Sequence, residues 1–410
     1  APAVGVESYN WNNDTGTMSL RAARTPGQAN AIYVSNHSYG ILAGWEYHAT
    51  SALSGHVGWH WWGGSMGAGF QENWFGRYSS VAATWDQLAH YHAYYLAFAA
   101  AGNDRADTPT VGETVYYRAG GGWHEIVYSE QTCPAGDGEA KGGYDTISFA
   151  AVAKNIVTVG AVHKAVFQGV RSLAHATMAD FSSWGPTDDG RIKPDIVANG
   201  VAVYSTTDSS DDAYDAYSGT SMASPNAAGS AALLIQHYGR LFPGQFMRSS
   251  TLKGLILHTA DDLGRPGPDY AYGWGLMNTK TAVETITRHG EDTRGDVILE
   301  GLFDWRGPNE HRRYFVAEAG EPIRVTLCWT DPPGASTTSP DDPTPRLVHD
   351  LDLRVIGPDG STVYYPYILN PSEPAAPATT GDNTRDNVEQ VCLLTPGEAG
   401  LYEVRVSHKG

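Results

Sequence analysis

Over roughly the first 290 residues, short apolar runs alternate with stretches of helical period, the pattern of parallel strands joined by crossover helices. AIYVSNHSYG (31–40) predicts a buried strand entering a polar turn. From 81 to 92 the spacing puts Trp85, Leu88, Ala89 and His92 on one helical face. YYLAFAAAGND (94–104) predicts a central strand ending in a Gly-Asn turn, and NIVTVGAV (155–162) a strand covered on both faces. Residues 105–144 are rich in glycine and polar side chains and show no period, which predicts an inserted surface loop. After the helical pattern at 282–288 the character changes. From Asp296 onward, strands of period two follow one another: RVTLCW (324–329), DLDLRV (350–355) and YEVRV (402–406). Leu351, Leu353 and Val355, and likewise Tyr402, Val404 and Val406, share one face, as in an antiparallel sandwich. The predicted architecture is an α/β domain over 1–292, with helices on both faces of a parallel sheet, and an antiparallel, jelly-roll-like β-sandwich over 293–410.

Composition narrows what such a chain can do. With 41% hydrophobic and 18% charged residues, its 410 residues fit a compact two-domain protein. Twenty-seven Lys plus Arg stand against 45 Asp plus Glu, a formal net charge of −18, which disfavours nucleic acid and anionic membranes as partners and suits a protein able to hold cations. No apolar run reaches the length of a membrane span, and no basic-then-apolar leader precedes the first strand. Cys133, Cys328 and Cys392 match no zinc spacing. A Cys328–Cys392 bridge would contribute about 4 kcal/mol in the chain-entropy picture; the other reading is free thiols.

The candidate chemistry lies in YSGTSMASPNAAGSAALL (217–234). Small residues from Ala227 to Ala232 allow a helix to pack closely on a sheet, presenting Ser221 and its backbone N–H at the positive end of the dipole. By spacing alone, Ser221 reads equally well as a helix-capping serine or as a nucleophile.

GTSMASP (219–225) resembles the nucleophile signature of the subtilisin-like serine proteases, the subtilases. AAAGN (99–103) resembles the subtilase strand that walls the specificity pocket and ends in the oxyanion asparagine, which implies that role for Asn103 and a wall position for Ala100, Ala101 and Gly102. NHSYG (36–40) resembles the opposite wall, where substrate backbone adds as a strand beside Ser38, Tyr39 and Gly40. FSSWGPTDDGRIKPDIVANG (181–200) and YGWGLMN (272–278) are similar to subtilase segments and stand in the expected order. LVHDLDLRV (347–355) is similar to the C-terminal domain of a subset of secreted bacterial subtilases. The resemblance implies a secreted, monomeric serine endopeptidase acting on proteins or peptides, needing no cofactor for its chemistry. Such enzymes often carry calcium, and Asp350 with Asp352 and Asp382 with Asp386 offer oxygen ligands; a solvated acidic face is the other reading.

Subtilases order their triad Asp, His, Ser, with the Asp in a D-[ST]-G turn and the His in H-G-T-H. Asp14-Thr15-Gly16 matches the first tripeptide, but SYNWNN precedes it where a buried strand should stand, so it reads as a solvated turn. None of the 15 histidines has the triad context; His37, His90, His92 and His124 read as structural or solvated. APAVGV at the start resembles the segment that follows the histidine helix, and VSHKG stops where a further strand is expected. The expectation is thus an N-terminally truncated protease whose Asp and His lie upstream of residue 1, inactive as these 410 residues alone. The alternative is a catalytically inactive subtilase-like protein that binds peptides or glycans.

Overall fold

The computed structural model describes residues 5–70, 72–293, 297–303 and 310–409; Asp296 and the first four residues of APAVGV fall outside that set. In chain order the first unit holds α1 (Asp14–Ala22), β1 (Val34–His37), β2 (Trp45–His48), β3 (Gly58–Trp61), α2 (Ser80–Tyr91), β4 (Leu96–Ala100), β5 (Thr114–Ala119), β6 (Gly122–Val127) and β7 (Val157–Val162). A short ribbon, β8 (Val166–Phe167) and β9 (Val170–Arg171), leads to β10 (Ile196–Asn199), the hairpin β11 (Val203–Thr206) and β12 (Tyr214–Tyr217), and then α3 (Thr220–Leu241), α4 (Ser249–His258) and α5 (Thr279–Glu291).

Four of these strands form the parallel sheet β1-β4-β7-β10. All six residues of β7 are buried, as a β-branched run covered on both faces requires. On one face, Ala223, Ala227, Ala231 and Leu234 of α3 join Leu96, Phe98, Val157 and Val159; on the other, Trp85, Leu88 and Ala89 of α2 meet Ala97 and Ala99. Alanines without exposure let α3 approach the sheet closely, because any larger side chain would push the axis outward. β1 differs from expectation. It lies at the edge of the described sheet and is only partly buried, because apart from β4 no described strand pairs with it.

The expected surface loop at 105–144 is instead folded. β5 and β6 form a hairpin about Gly120 and Gly121, both at positive φ, and β3 pairs with β5 to give a second sheet of order β2-β3-β5-β6. Trp45, Trp61, Val115, Tyr128 and Cys133 form its core.

The second unit comprises β13 (Glu310–Ala317), β14 (Ile323–Cys328), β15 (Leu351–Ile356), β16 (Val363–Tyr364), β17 (Tyr367–Ile368), β18 (Thr379–Thr380), β19 (Val388–Leu393) and β20 (Gly400–His408). The antiparallel sheet β13-β20-β15-β16 packs on the β14-β19 pair around Ala317, Ile323, Leu353, Val355, Val391 and Tyr402. The register sets Cys392 opposite Arg324 and Cys328 opposite Val388, so both thiols are free.

A buried clasp joins the two units. The Lys154 ammonium reaches the Asp331 carboxylate, with neither side chain exposed, and also donates to Pro332 O (2.6 Å) and Arg346 O (2.7 Å). Asn155 Nδ2 donates to Asp331 O at 2.7 Å, while its Oδ1 accepts from Asp331 N at 2.9 Å and Asn387 Nδ2 at 3.0 Å.

Candidate active site

The site forms where β4 and α3 end against each other. Beyond β4 the chain turns through Gly102, at φ +114°; a Cβ there would lie 2.6 Å from Asp104 Oδ2 and 2.7 Å from Ser183 Oγ, so only glycine fits. Thr220, the first residue of α3, locks this turn: its Oγ1 lies 3.2 Å from both Gly102 N and Gly102 O. Asn103 Oδ1 accepts from Thr220 N (2.9 Å) and Thr220 Oγ1 (3.0 Å), which fixes the amide plane. The acceptor side of Asn103 is thereby committed to the helix start, leaving Nδ2 as the free donor. Ser221 N, in the first turn of the same helix, has no intrahelical acceptor. The two donors converge: a Cβ built on Gly219 would lie 3.7 Å from Asn103 Nδ2 and 3.6 Å from Ser221 N.

Pro225 lies inside α3 and has no N–H to give to the carbonyl four residues earlier, that of Ser221. Ser38 Oγ supplies the missing donor at 2.9 Å, itself held by Asn36 Nδ2 at 3.0 Å. Ser38 therefore lies under the Ser221 turn and ties it to the end of β1. The other expected wall residues line one cleft of about 280 Å³ that also contains Ser221, with Tyr39 and Gly40 on one side and Ala100, Ala101 and Gly102 on the other. A larger hollow of about 660 Å³ between His258, Arg288 and Arg324 contains none of these residues, so volume is a poorer guide here than chemistry.

Asp14 does not sit in a solvated turn. It opens α1 and accepts from Tyr39 OH at 2.8 Å. Behind Tyr39, His37 Nδ1 lies 2.7 Å from the phenol oxygen and Nε2 lies 2.6 Å from Ser35 Oγ. With Tyr39 donating to Asp14, the tautomer that satisfies this chain carries its proton on Nδ1. Burial lowers the His37 pKa to about 4, so the ring is neutral and both nitrogens are committed to the wall. Among the described residues no histidine is hydrogen-bonded to Ser221 Oγ.

Three carboxylates that the sequence did not single out occupy the same cleft: Glu46 from β2, and Asp104 and Asp107 from the turn after Asn103. Burial raises Glu46 to about 8, helped by the charges of Asp104 and Asp107. Burial likewise raises Asp107 to about 7 and Asp104 to about 6, the latter held back by the Ser183 hydroxyl. Their neighbour Arg105 does not neutralise them, for its guanidinium donates to Ser182 O (3.0 Å) and Ala179 O (2.9 Å) and stacks 4.2 Å over Trp184.

Asp350, Asp352, Asp382 and Asp386, the expected calcium ligands, have the following neighbours in the structure. Lys409 Nζ approaches Asp350 (3.1 Å), Asp352 (3.1 Å) and Asp382 (2.8 Å), and Arg354 bridges Asp352 (2.7 Å) and Asp382 (2.5 Å). Asp386 faces elsewhere, accepting from Ile192 N at 2.8 Å and Asn383 Nδ2 at 3.1 Å. Two side-chain cations hold three of these carboxylates, and backbone and amide donors hold the fourth.

The model of the subtilase family matches residues 1–275. Subtilisin DY of Bacillus licheniformis is 33% identical over 150 residues, which are 37% of this chain and 45% of that protein. Serine protease AprX of Bacillus subtilis (strain 168) is 33% identical over 150 residues, 34% of this chain and 32% of its own length. Bacillopeptidase F of the same organism is 34% identical over 165 residues, 40% of this chain and 11% of its own length. The chain thus spans less than half the length of each of these relatives.

Proposed function

The chain belongs to the subtilase family, and we propose that it is the Ser221-bearing part of a serine endopeptidase. The observation that carries this reading is the convergence of Asn103 Nδ2 and Ser221 N beside the nucleophile, with the amide held by Thr220. In the proposed reaction Ser221 Oγ attacks the scissile carbonyl carbon and its proton passes to a histidine base. The carbonyl oxygen becomes an oxyanion held by the two N–H donors. Collapse breaks the C–N bond, the base returns its proton to the leaving amine, and water then hydrolyses the acyl-enzyme by the same steps. With His37 neutral and engaged, the base and its orienting aspartate are assigned to a segment of the parent protein preceding Ala1. The 410 residues alone are proposed to be inactive, and the parent to be secreted. Among the described residues no helix is long and apolar enough to cross a membrane. A binding protein without catalysis would have no use for an amide oriented in this way. A fluorophosphonate probe separates the two readings on the full-length parent, since an activated serine reacts and an inert one does not.

Asn103→Ala in the parent is expected to lower kcat by about 10²- to 10³-fold with KM little changed, the size of the effect known for the corresponding donor in subtilisin. Steady-state kinetics on a peptide substrate check this. A loss below tenfold in kcat would remove Asn103 from the oxyanion role.

The acidic end of the cleft favours a basic side chain on the residue before the scissile bond. Each of the three carboxyls is neutral below its raised pKa and charged above it, so attraction for Lys or Arg strengthens as pH rises through about 6 to about 8. The ratio of kcat/KM for an Arg-ended over a Leu-ended peptide is therefore expected to rise about tenfold between acid and alkaline pH. Glu46→Gln should flatten that rise; a ratio independent of pH in the unmodified protein would refute the preference.

A further inference from the structure

We propose that Asp145, Asp188 and Asp341 bind one calcium ion where the first unit meets the 331–346 loop of the second. One carboxylate oxygen from each comes within 4.8 Å of the other two. That separation is what oxygens around a single ion at about 2.4 Å allow. Asp145 and Asp188 also offer oxygens without other employment. Asp145, whose side chain is 10% exposed, has Oδ1 buried with no hydrogen-bond partner, and both Asp188 carboxylate oxygens are buried with none. Unpaired buried carboxylate oxygens are costly unless something cationic meets them.

The surroundings hold the site in shape. Gly76, at φ +69°, faces the oxygens: a Cβ there would stand 2.1 Å from Asp188 Oδ1 and 2.4 Å from Asp145 Oδ1. Backbone hydrogen bonds fix the segments, with Gly76 N donating to Ile147 O (2.8 Å), Asp188 N to Gly76 O (2.9 Å) and Asp145 N to Gly185 O (2.9 Å). Lys141 Nζ pairs with Asp145 Oδ2 at 2.5 Å and Asp341 Oδ1 at 2.6 Å, leaving Asp145 Oδ1 and Asp188 free. Three carboxylates against one ammonium leave two negative charges, the complement of a divalent cation. Calcium fits better than magnesium, because it accepts irregular oxygen shells and fills remaining positions with water.

The test uses the 410-residue chain stripped with a chelator. Isothermal titration with CaCl₂ should show one site, and terbium added in its place should luminesce on tryptophan excitation, because Trp184 adjoins Asp145 through the Thr146 N to Trp184 O bond of 2.8 Å. Asp188→Asn and, separately, Asp341→Asn are expected to weaken that site at least tenfold. Asp341 is half-exposed, so its variant should keep the parent's circular dichroism even if Asp188→Asn does not fold. Unaltered calcium affinity in a folded Asp341→Asn protein, or no calcium binding by the unmodified chain at millimolar concentration, would overturn the proposal.

Discussion

Replacing Ser221 by alanine in the full-length parent is expected to cut turnover by about 10⁶-fold, roughly 8 kcal/mol of transition-state stabilisation, and to abolish labelling by fluorophosphonates. The magnitude is carried over from subtilisin, where loss of the serine alone removes most of what the whole triad supplies. KM should hold, because the cleft walls from Tyr39 and from Ala100 to Gly102 keep their places and Ser38 donates to the residue 221 carbonyl, which alanine retains. In the 410-residue chain by itself the same substitution should change nothing measurable. If that shorter chain were labelled at Ser221 as fast as an active subtilase, its base would lie among these residues and the proposed division of the triad would be wrong.

The second large effect concerns stability. Lys154→Met removes the ammonium from a fully buried ion pair and leaves Asp331 as an unpaired charge between the two units. Breaking such a pair from one side costs about 3–5 kcal/mol. Urea unfolding should therefore show a much lower midpoint with little change in slope. Adding Asp331→Leu should return only part of the loss. The Asp331 carboxylate also accepts from Val348 N (3.0 Å) and His349 N (2.7 Å), and leucine leaves those amides without a partner. A single-mutant loss under about 1 kcal/mol would mean that the clasp is solvated and contributes little.

The parts of this molecule that the sequence announced are those where local pattern and tertiary environment agree. NIVTVGAV forms the doubly covered strand its β-branched run predicts, and the alanines after Ser221 form the closely packed helix their size allows. GTSMASP, AAAGN and NHSYG are near one another in space because the last two end the adjacent strands β4 and β1 and the first begins the helix α3 that packs on that sheet. Where a tertiary partner changed the meaning of a residue, pattern failed. Pro225 was readable as tolerable, but not that Ser38 would answer the carbonyl it orphans. Asp14 looked solvated because its partner, Tyr39, is 25 residues away. VEQVCL (388–393) does not alternate, since Glu389 is fully buried and accepts from Leu353 N at 2.6 Å, so β19 was missed. The acids of the cleft were invisible for a related reason: Glu46 comes from β2, whereas Asp104 and Asp107 come from the turn after Asn103, far along the chain.

The second sheet, β2-β3-β5-β6, has a consequence for engineering. β2 and β3 lie before α2, while β5 and β6 lie after β4, and the pairing of His60 with Tyr116 and Trp61 with Tyr117 stitches the two segments into one sheet. Neither is a self-sufficient module: deleting one would leave the other with an open edge and half of an aromatic core. Transplanted together onto a plainer subtilase, the two segments and the turn between them would carry the acidic cleft with them, whereas either one grafted singly should bring an aggregation-prone flap.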